Sequence, residues 1–235
     1  MAAKVILIGN QKGGVGKSTI AITLGTSLKM RGSQVLILDA DPQQSGASWR
    51  AAAQELAHED ELPWVERADN DLVGEKIKRE RANYDYIIID SASNMGKRGD
   101  SIQKMLVALI KAADMVLIPM GPSQFDVSAS GEFVELVNEL WGRYEKPGKA
   151  GYVVINGVRA GTKLGLEVAD YVSELYGEQF NVEVMATRLQ MREGYKKALF
   201  QGETIFQLKE ASTIDNANAF VDEVLEALNS VPEAT

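Results

Sequence analysis

A glycine-rich stretch near the start of the chain, residues 9–19, restricts the possible folds more than any other feature of the sequence. It follows an apolar run at residues 5–8 and leads into residues 20–30, where apolar side chains recur at helical spacing. A strand, a glycine-rich turn and a helix in this order are typical of a phosphate-binding loop, because glycine lets the backbone curl its N–H groups around phosphate oxygens. The N-terminus of the following helix adds partial positive charge. We therefore expect a site for nucleotide phosphates here.

Several side chains of this loop have a predicted role in holding a nucleotide. Lys17 can reach the terminal phosphates, the Ser18 hydroxyl can bind Mg²⁺, and Thr19 can donate a hydrogen bond to a phosphate nearer the sugar. Gln11 stands where the common loop pattern has its first glycine, and a second lysine, Lys12, precedes Lys17 by five residues. The residues predicted to surround the phosphates are Gly13, Gly14, Val15, Gly16, Lys17, Ser18 and Thr19.

The composition is that of a globular protein with one sizeable core. The chain has 235 residues, 45% of them apolar and 25% charged, so we expect a single domain over residues 1–235. It contains no cysteine, which excludes disulfides and thiolate-bound metal or iron–sulfur centres. No apolar run is long enough for a membrane helix and no signal peptide is evident, so the expected location is the cytoplasm. A net charge of −8 argues against a surface that is basic overall but allows a local basic patch.

Short apolar runs alternate with helical patterns along the whole chain. Strands are predicted at residues 5–8, 34–39, 64–66, 84–90, 114–119, 151–156 and 182–185. Helices are predicted at residues 20–30, 45–58, 72–82, 102–112, 127–141, 164–176, 191–200 and 216–228. Near-continuous apolar strands that alternate with helices indicate an α/β fold, with a mostly parallel, twisted sheet covered by helices on both faces.

Aspartates follow two of the predicted strands, at the edge where a parallel sheet binds its ligands. Asp39 and Asp41 are two residues apart and share one face of an extended segment, so they could hold the hydration shell of Mg²⁺ and orient a water molecule. Asp90 ends an apolar strand, as in the Walker B motif, whose carboxylate binds Mg²⁺ through water. The simpler alternatives are an Asp-Pro turn after the first strand and a turn-capping carboxylate at Asp90.

The loop with two lysines resembles the deviant phosphate loop of the ParA/MinD family of ATPases. The resemblance implies that Lys12 reaches across a dimer to the nucleotide of the partner subunit; the alternative is an ordinary surface lysine. Residues 39–43 resemble the corresponding segment of the family, which implies that Asp41 is needed for hydrolysis and that Asp39 lies close to the metal. The chain lacks the proline that family members often carry just after the aspartate matching Asp90.

Other segments resemble the small ParA proteins of the ParF type. Residues 119–131, with two prolines and a helix start rich in serine, alanine and glycine, look like the proline-containing segment of that group. A plain helix-entry loop is the alternative. Residues 187–195 and 202–206 are similar to the C-terminal part of these proteins. The resemblance also implies that Asn156, at the end of a predicted strand, and Arg159 face the adenine base, whose edge suits an amide that both donates and accepts.

A cationic cluster in the last quarter of the chain is a candidate DNA contact. Arg188, Arg192 and Lys196 are four residues apart and would line one stripe of a helix, with Lys197 beside them. In related ParA proteins the ATP-bound dimer binds DNA without sequence preference, as contacts to phosphates would allow. The alternative is a solvated helix face.

The resemblance as a whole predicts a partitioning ATPase that uses ATP and Mg²⁺. Two subunits would close on ATP and bind nucleoid DNA. They would separate when a ParB-like or adaptor protein stimulates hydrolysis, so that a plasmid, a chromosome or another cargo is moved. Because the phosphate loop begins within ten residues of the first residue, we expect no N-terminal helix-turn-helix of the kind found in longer ParA proteins.

Other functions of such a loop remain as alternatives. A MinD-like positioning ATPase would carry a basic membrane helix at its C-terminus, whereas residues 212–235 contain five acids and no lysine or arginine, so no membrane partner is expected. The nitrogenase iron protein needs cysteine ligands, and this chain has no cysteine, so that function is excluded. A metabolic ATP-dependent enzyme similar to dethiobiotin synthetase would need a pocket for a small molecule, and a scaffold that binds ATP without hydrolysing it would not need Asp41. The single histidine, His58, is expected on a solvated helix.

Overall fold

The computed structural model describes residues 2–54, 59–70, 72–93, 100–208 and 210–230. Its strands are β1 (Lys4–Ile8), β2 (Val35–Ala40), β3 (Trp64–Arg67), β4 (Tyr86–Ser91), β5 (Met115–Met120), β6 (Gly151–Val158), β7 (Val182–Val184) and β8 (Leu189–Gln190). Its α-helices are α1 (Lys17–Met30), α2 (Ser45–Ala53), α3 (Val73–Glu80), α4 (Asp100–Ala112), α5 (Gln124–Ser128), α6 (Gly131–Arg143), α7 (Leu164–Val172), α8 (Glu193–Phe200) and α9 (Ala211–Ser230). A short 3₁₀ turn (Glu59–Glu61) precedes β3, and a π-helical turn (Ser173–Gly177) continues α7.

The described strands form one parallel sheet. Their order is β3-β2-β4-β1-β5-β6-β7, and β8 pairs with the second half of β6. Every strand pair among the described residues is parallel. The predicted α/β fold with a mostly parallel sheet is therefore confirmed. Because β1 lies between β4 and β5, the carboxyl ends of these three strands meet beside the glycine-rich loop.

Helices cover both faces of the sheet, as the apolar strands predict. Alternate residues of β1 illustrate this: Val5 and Leu7 belong to the core under α3, α4, α6 and α7, whereas Ile6 and Ile8 belong to the core under α1, α2 and α9. All four side chains are fully buried. No helix among the described residues is long and apolar enough to cross a membrane.

Two of the predicted helices are wrong in their extent. The single helix expected over residues 127–141 is two helices, α5 and α6, because Ser130 lies between them and turns its hydroxyl toward the Asp126 carbonyl. The helix expected from residue 191 begins at Glu193, because the two residues of β8 pair with β6.

Other element bounds differ less from the prediction. The strand expected to end at Asn156 continues to Val158, and the last helix begins at Ala211 rather than at residue 216. His58 and the end of the helix predicted over residues 45–58 lie outside the described residues.

We expect Gly9→Ala to destabilise the protein by overpacking. A methyl group at Gly9 would lie 2.5 Å from the ring atom Cζ of Phe133, which is 1% exposed in α6. Forcing extra volume into a packed core costs about 1–3 kcal/mol. Urea unfolding of the parent and the variant measures the difference.

The matched control is Gly142→Ala, since a methyl group at Gly142 has no neighbouring atom within 4 Å. This change should leave the free energy of unfolding the same or raise it by about 0.4–1 kcal/mol. Combining Gly9→Ala with Phe133→Leu should be less damaging than the sum of the two changes. Equal stability of Gly9→Ala and Gly142→Ala would show that the ring moves aside freely.

Candidate functional site

A curled loop connects β1 to α1. Gly14 and Gly16 have φ angles of 76° and 94°, in the left-handed region that favours glycine. The first backbone hydrogen bond of α1 runs from the Ile20 N–H to the Gly16 carbonyl at 2.9 Å. The N–H groups of residues 17–19 precede it and have no partner within the helix, so they are available to an anion.

Lys17 reaches back over this loop from the first turn of α1. Its ammonium nitrogen donates hydrogen bonds to the Lys12 carbonyl at 3.1 Å and to the Ser93 hydroxyl at 2.9 Å, and the residue is 6% exposed. Burial lowers the pKa of the Lys17 ammonium, while the charges of Asp90 and Asp41 raise it. Both hydrogen-bond acceptors are neutral, so phosphate oxygens would be stronger partners for this ammonium.

Asp90 lies at the end of β4, between Ile8 of β1 and Asp39 of β2. It is 1% exposed, and neither carboxylate oxygen makes a full hydrogen bond within the described residues. Burial raises the pKa of the Asp90 carboxyl to about 7, whereas the neighbouring Ser18 hydroxyl and the charge of Lys17 act to lower it. A buried carboxylate that lacks a full hydrogen bond and lies beside a hydroxyl is suited to binding a hydrated cation.

The donor set at this end of the sheet fits Mg²⁺ that is held mainly by water and phosphate. Within the described residues, no three carboxylate or histidine side chains form a group that could hold a metal on their own. Mg²⁺ usually keeps several waters and takes one or two protein groups together with substrate phosphates. Ser18 and Asp90 are the residues that would hold it, and the bound ion would neutralise phosphate charge.

The carboxylate of Asp39 is held by backbone N–H groups. Oδ1 accepts a hydrogen bond from Asp41 at 3.1 Å, and Oδ2 accepts from Gly46 and Ala47, each at 3.0 Å. Burial raises the pKa of the Asp39 carboxyl, and these N–H groups lower it. Gly46 and Ala47 belong to the first turn of α2, so Asp39 ties the start of that helix to the end of β2. The spacing of Asp39 and Asp41 in the sequence does not predict this anchoring.

Asp41 lies just beyond β2 and is half-buried. Its Oδ1 accepts a hydrogen bond from the Gln43 N–H at 2.9 Å, which forms an Asx turn. Its charge influences the pKa of both Lys17 and Asp90. The structure thus brings Asp41, Asp90 and the loop lysine to the same end of the sheet.

A buried asparagine connects the loop to the segment after β5, and the sequence analysis gave it no role. Asn10 is 1% exposed; its Nδ2 donates to the Pro119 carbonyl and the Ser130 hydroxyl, each at 2.8 Å. Its Oδ1 accepts from the Lys12 N–H at 2.9 Å. The sequence feature that could have indicated this role is the position of Asn10, a polar residue that follows the apolar β1 and Gly9.

The side chain of Lys12 is at the surface beside this network. It is 42% exposed, and its Nζ lies 3.9 Å from Oδ1 of Asp126, whose side chain is 26% exposed. An ion pair of this length at the surface contributes about 0–1 kcal/mol. The two lysines of the loop therefore differ: Lys17 is fixed and buried, whereas Lys12 is weakly held.

Asn156 lies within β6 and contacts the loop directly. Its Nδ2 donates to the Val15 carbonyl at 2.7 Å, and a methyl group at Gly16 would lie 2.2 Å from the same nitrogen. Arg159, one residue past β6, is exposed. The structure brings Asn156 to the loop and leaves the Arg159 side chain at the surface.

Arg188, Arg192 and Lys196, which were predicted to line one helical stripe, do not lie on one helix. That prediction is wrong because α8 begins at Glu193, so Arg188 and Arg192 precede the helix. Both arginines are half-buried and donate hydrogen bonds to neighbouring residues. Lys196 and Lys197 lie on α8 and are exposed.

Comparison with known protein families accounts for this arrangement of loop and strands. A model of the CobQ/CobB/MinD/ParA nucleotide-binding domain matches residues 6–205. The chain belongs to this family. The resemblance of the two-lysine loop to ParA and MinD proteins is thereby confirmed, and it extends over most of the sequence.

Several relatives with known names match most of the length of this chain. Maintenance of carboxysome distribution protein A of Halothiobacillus neapolitanus is 26% identical over 225 residues, which is 95% of this chain and 97% of that protein. Protein ParA of Rhizobium radiobacter is 28% identical over 230 residues, again 95% and 97% of the two chains. Chromosome partitioning protein ParA of Caulobacter vibrioides is 27% identical over 81% of this chain and 83% of its own.

Solved structures with the same fold include complexes with nucleotide and magnesium. An ATP complex of a variant of Cyanothece McdA has a TM-score of 0.72 at 20% identity and covers 95% of this chain and 97% of its own. MinD of Pyrococcus horikoshii with Mg-ADP has a TM-score of 0.70 at 17% identity, with 94% and 96% covered. Cobyrinic acid a,c-diamide synthase of Mycobacterium smegmatis with ADP and magnesium has a TM-score of 0.67 at 16% identity, with 97% and 96% covered. These likenesses confirm the predicted P-loop fold.

We expect Asp39→Asn to lower the stability of the nucleotide-free protein. An asparagine keeps one acceptor oxygen and loses the other, so at least one of the three backbone N–H groups at Asp39 loses its partner. An unsatisfied buried donor costs about 1–3 kcal/mol. Urea unfolding without nucleotide or Mg²⁺ measures this, independently of any metal.

The matched control is Asp41→Asn, because an asparagine oxygen can still accept the hydrogen bond from the Gln43 N–H. Its free energy of unfolding should stay within about 0.5 kcal/mol of the parent. An Asp39→Asn variant as stable as this control would contradict the anchoring role of Asp39.

Proposed function

We propose that the chain is a ParA-type partitioning or positioning ATPase that closes into a dimer around ATP. The observation that carries this proposal is the contrast between the two lysines of one loop. Lys17 is buried and its ammonium contacts the loop, which suits a lysine that serves the nucleotide bound by its own subunit. Lys12 is 42% exposed and weakly paired with Asp126, so it is free to serve a nucleotide on a second copy of the chain.

Within one subunit, each group at the end of the sheet would have a distinct task. The backbone of residues 13–16 and the start of α1 would hold the phosphates, and Lys17 would neutralise their terminal charge. Thr19 would bond a phosphate nearer the sugar. Asp41 would orient the attacking water, and Asp39 would fix Asp41 through the 3.1 Å bond to its N–H.

The nucleoside would extend from the loop toward the carboxyl end of β6. Asn156 already contacts the loop at the Val15 carbonyl, 2.7 Å away, and Arg159 follows on the surface. We place the adenine base beside these two residues, where the amide can both donate and accept.

Closure of two subunits would bring each Lys12 to the phosphates of the partner. Breaking the ion pair between Lys12 and Asp126 costs little free energy, since a long, exposed pair contributes about 0–1 kcal/mol. A charge-assisted bond to a phosphate in a closed interface is stronger, about 1.5–3 kcal/mol. The relatives named for carboxysome distribution and chromosome partitioning support this use of the fold.

The closed dimer would bind nucleoid DNA without sequence preference and release it after hydrolysis. In a chain with net charge −8, such contacts must be local. Lys196 and Lys197 are the exposed candidates among the four basic residues, whereas Arg188 and Arg192 are half-buried. A ParB-like or adaptor protein would stimulate hydrolysis, and the protein would move between the cytoplasm and the nucleoid.

The dimer is tested by sedimentation velocity with ATP–Mg²⁺ and with ADP–Mg²⁺. The parent should dimerise with ATP alone. Lys12→Ala should stay monomeric with ATP while still binding it, and its turnover should fall about 100-fold, as when one charge-stabilising donor is removed. Asp41→Ala should form a lasting ATP dimer and lose about 10²–10⁴ in turnover.

Lys78→Ala is the matched control, because the Lys78 side chain is 75% exposed on α3. It should dimerise and hydrolyse ATP like the parent. A normal ATP-dependent dimer from Lys12→Ala would return Lys12 to the role of a surface lysine. ATP binding by a permanently monomeric parent would instead favour a metabolic enzyme, a class that shares this fold.

DNA binding is tested with a labelled random-sequence duplex, with ATP, ADP or no nucleotide, at two salt concentrations. Binding should appear with ATP only and weaken with salt. The double change Lys196→Glu and Lys197→Glu should weaken it and make its salt dependence less steep, by about two phosphate contacts.

The control pair is Lys78→Glu and Arg79→Glu on α3, which changes the net charge by the same amount. It should bind DNA nearly as well as the parent. Equal losses in both double variants would mean that overall charge, and not α8, governs the interaction.

A further inference from the structure

The strand β8 is completed by a side chain of the C-terminal helix. One edge of β8 faces β6, where the Met191 N–H donates to the Val158 carbonyl at 2.8 Å. The other edge has no neighbouring strand among the described residues. There, Asn216 of α9 accepts a hydrogen bond from the Gln190 N–H at 3.2 Å and donates one to the Arg188 carbonyl at 3.1 Å.

These two bonds follow the pattern of a parallel strand. A residue in a parallel ladder bonds the carbonyl before and the N–H after the residue opposite it. Asn216 does the same around Leu189, because a side-chain amide offers one donor group and one acceptor like a peptide group. It therefore replaces the missing neighbour of β8.

A second residue of α9 holds the segment that leads into β8. Glu223, seven residues after Asn216 and on the same face of the helix, accepts hydrogen bonds from the N–H groups of Ala186 and Thr187. The helix is itself fixed by fully buried side chains. These are Ala217, Phe220, Val221 and Val224. Residues 186–190 are thus attached at two points to a rigid element.

The held strand is linked to the phosphate loop through one residue of β6. Leu189 is in register with Asn156 of β6, and the Asn156 amide donates to the Val15 carbonyl at 2.7 Å. A continuous set of contacts therefore leads from Asn216 through β8 and Asn156 to the loop. Just after β8, the side chain of Met191 is 60% exposed and offers an apolar surface on a fixed backbone.

We propose that Asn216 is a positioning residue that sets the base selectivity of the nucleotide site. It holds β8 so that the backbone around Gln190 and Met191 forms one wall of the base pocket. Adenine and guanine present opposite donor and acceptor patterns on the same ring edge, so a wall of fixed polar groups separates them and a displaced wall does not. This inference rests on the proposed function, since it requires a nucleoside triphosphate at the loop.

The test compares the parent, Asn216→Ala and the control Asn218→Ala by calorimetry with three probes, each with Mg²⁺. The probes are ATP, GTP and inorganic tripolyphosphate. The control residue is on the same helix, and within the described part of the chain its Oδ1 makes only a long, 3.5 Å contact with Arg31. Asn216→Ala should bind ATP about tenfold more weakly, because a displaced wall loses about one hydrogen bond to adenine. Its affinity for GTP and tripolyphosphate should be unchanged, and Asn218→Ala should match the parent with all three.

Amide hydrogen exchange gives a second readout that a general loss of stability would not produce. In Asn216→Ala the Gln190 N–H should exchange faster, because its acceptor is gone, while the Met191 N–H, bonded to Val158, should keep its protection. If Asn216→Ala does not fold, Asn216→Asp keeps the acceptor for Gln190 and replaces the donor to Arg188 with a second carboxylate oxygen. It should then show a smaller loss of ATP-over-GTP preference.

Three outcomes would overturn the inference. They are an unchanged ratio of ATP to GTP affinity in Asn216→Ala, an equal loss with all three probes, and a parent that binds ATP and GTP equally well. Each leaves the proposed function standing, because the parent still binds ATP. A parent that binds neither nucleotide would overturn the proposed function itself, together with this inference.

Discussion

The register of β1 against its neighbours determines the geometry of the whole site. Apolar strands such as β1 and β4 do not select their own register, since a shift still leaves apolar residues buried on both faces. The register is fixed at the opposite, amino ends of the strands. There the Val5 N–H donates to Oδ2 of Asp114 at 2.7 Å, and the Arg81 guanidinium donates to the carbonyls of Ala3 and Ala112 at 3.1 and 2.7 Å. These bonds align the carboxyl ends, so that Asp90 lies opposite Ile8 beside the loop.

The same alignment brings several charged side chains together, and the described residues give hydrogen-bond partners to only some of them. The carboxylates of Asp90 and Asp41 act on the buried ammonium of Lys17. Asp39 adds a third carboxylate whose charge acts on Asp90. Asp39 is satisfied by backbone N–H groups, but Asp90 is not, and burial raises its pKa to about 7. Well-folded proteins keep such conflicts mainly where a ligand resolves them. Phosphates would complete the partners of Lys17, and a hydrated cation would complete those of Asp90.

The parts of the fold that were predictable are those with local causes. The glycine spacing of the loop and the apolar strands bounded by turns appear directly in the sequence, and both predictions were confirmed at the level of the fold. The failures have distant causes. At the break between α5 and α6, Ser130 accepts a hydrogen bond from Asn10, which lies 120 residues away in the sequence. The strand β8 has only two residues and is completed by the side chain of Asn216. A periodicity argument cannot detect either, because neither leaves a repeating pattern in its own segment.

The fold alone does not separate the functions that this family supports. A MinD protein and a diamide synthase match the chain about equally well, with TM-scores of 0.70 and 0.67. What separates them in physical terms is whether the site is complete within one chain. The buried Lys17 would serve either function, since both use the phosphates of a nucleotide. Under the proposed function, the weakly held Lys12 serves a second charge that approaches from outside. Because its pair with Asp126 is worth so little, the phosphates of a second subunit could redirect this side chain without any rearrangement of the core.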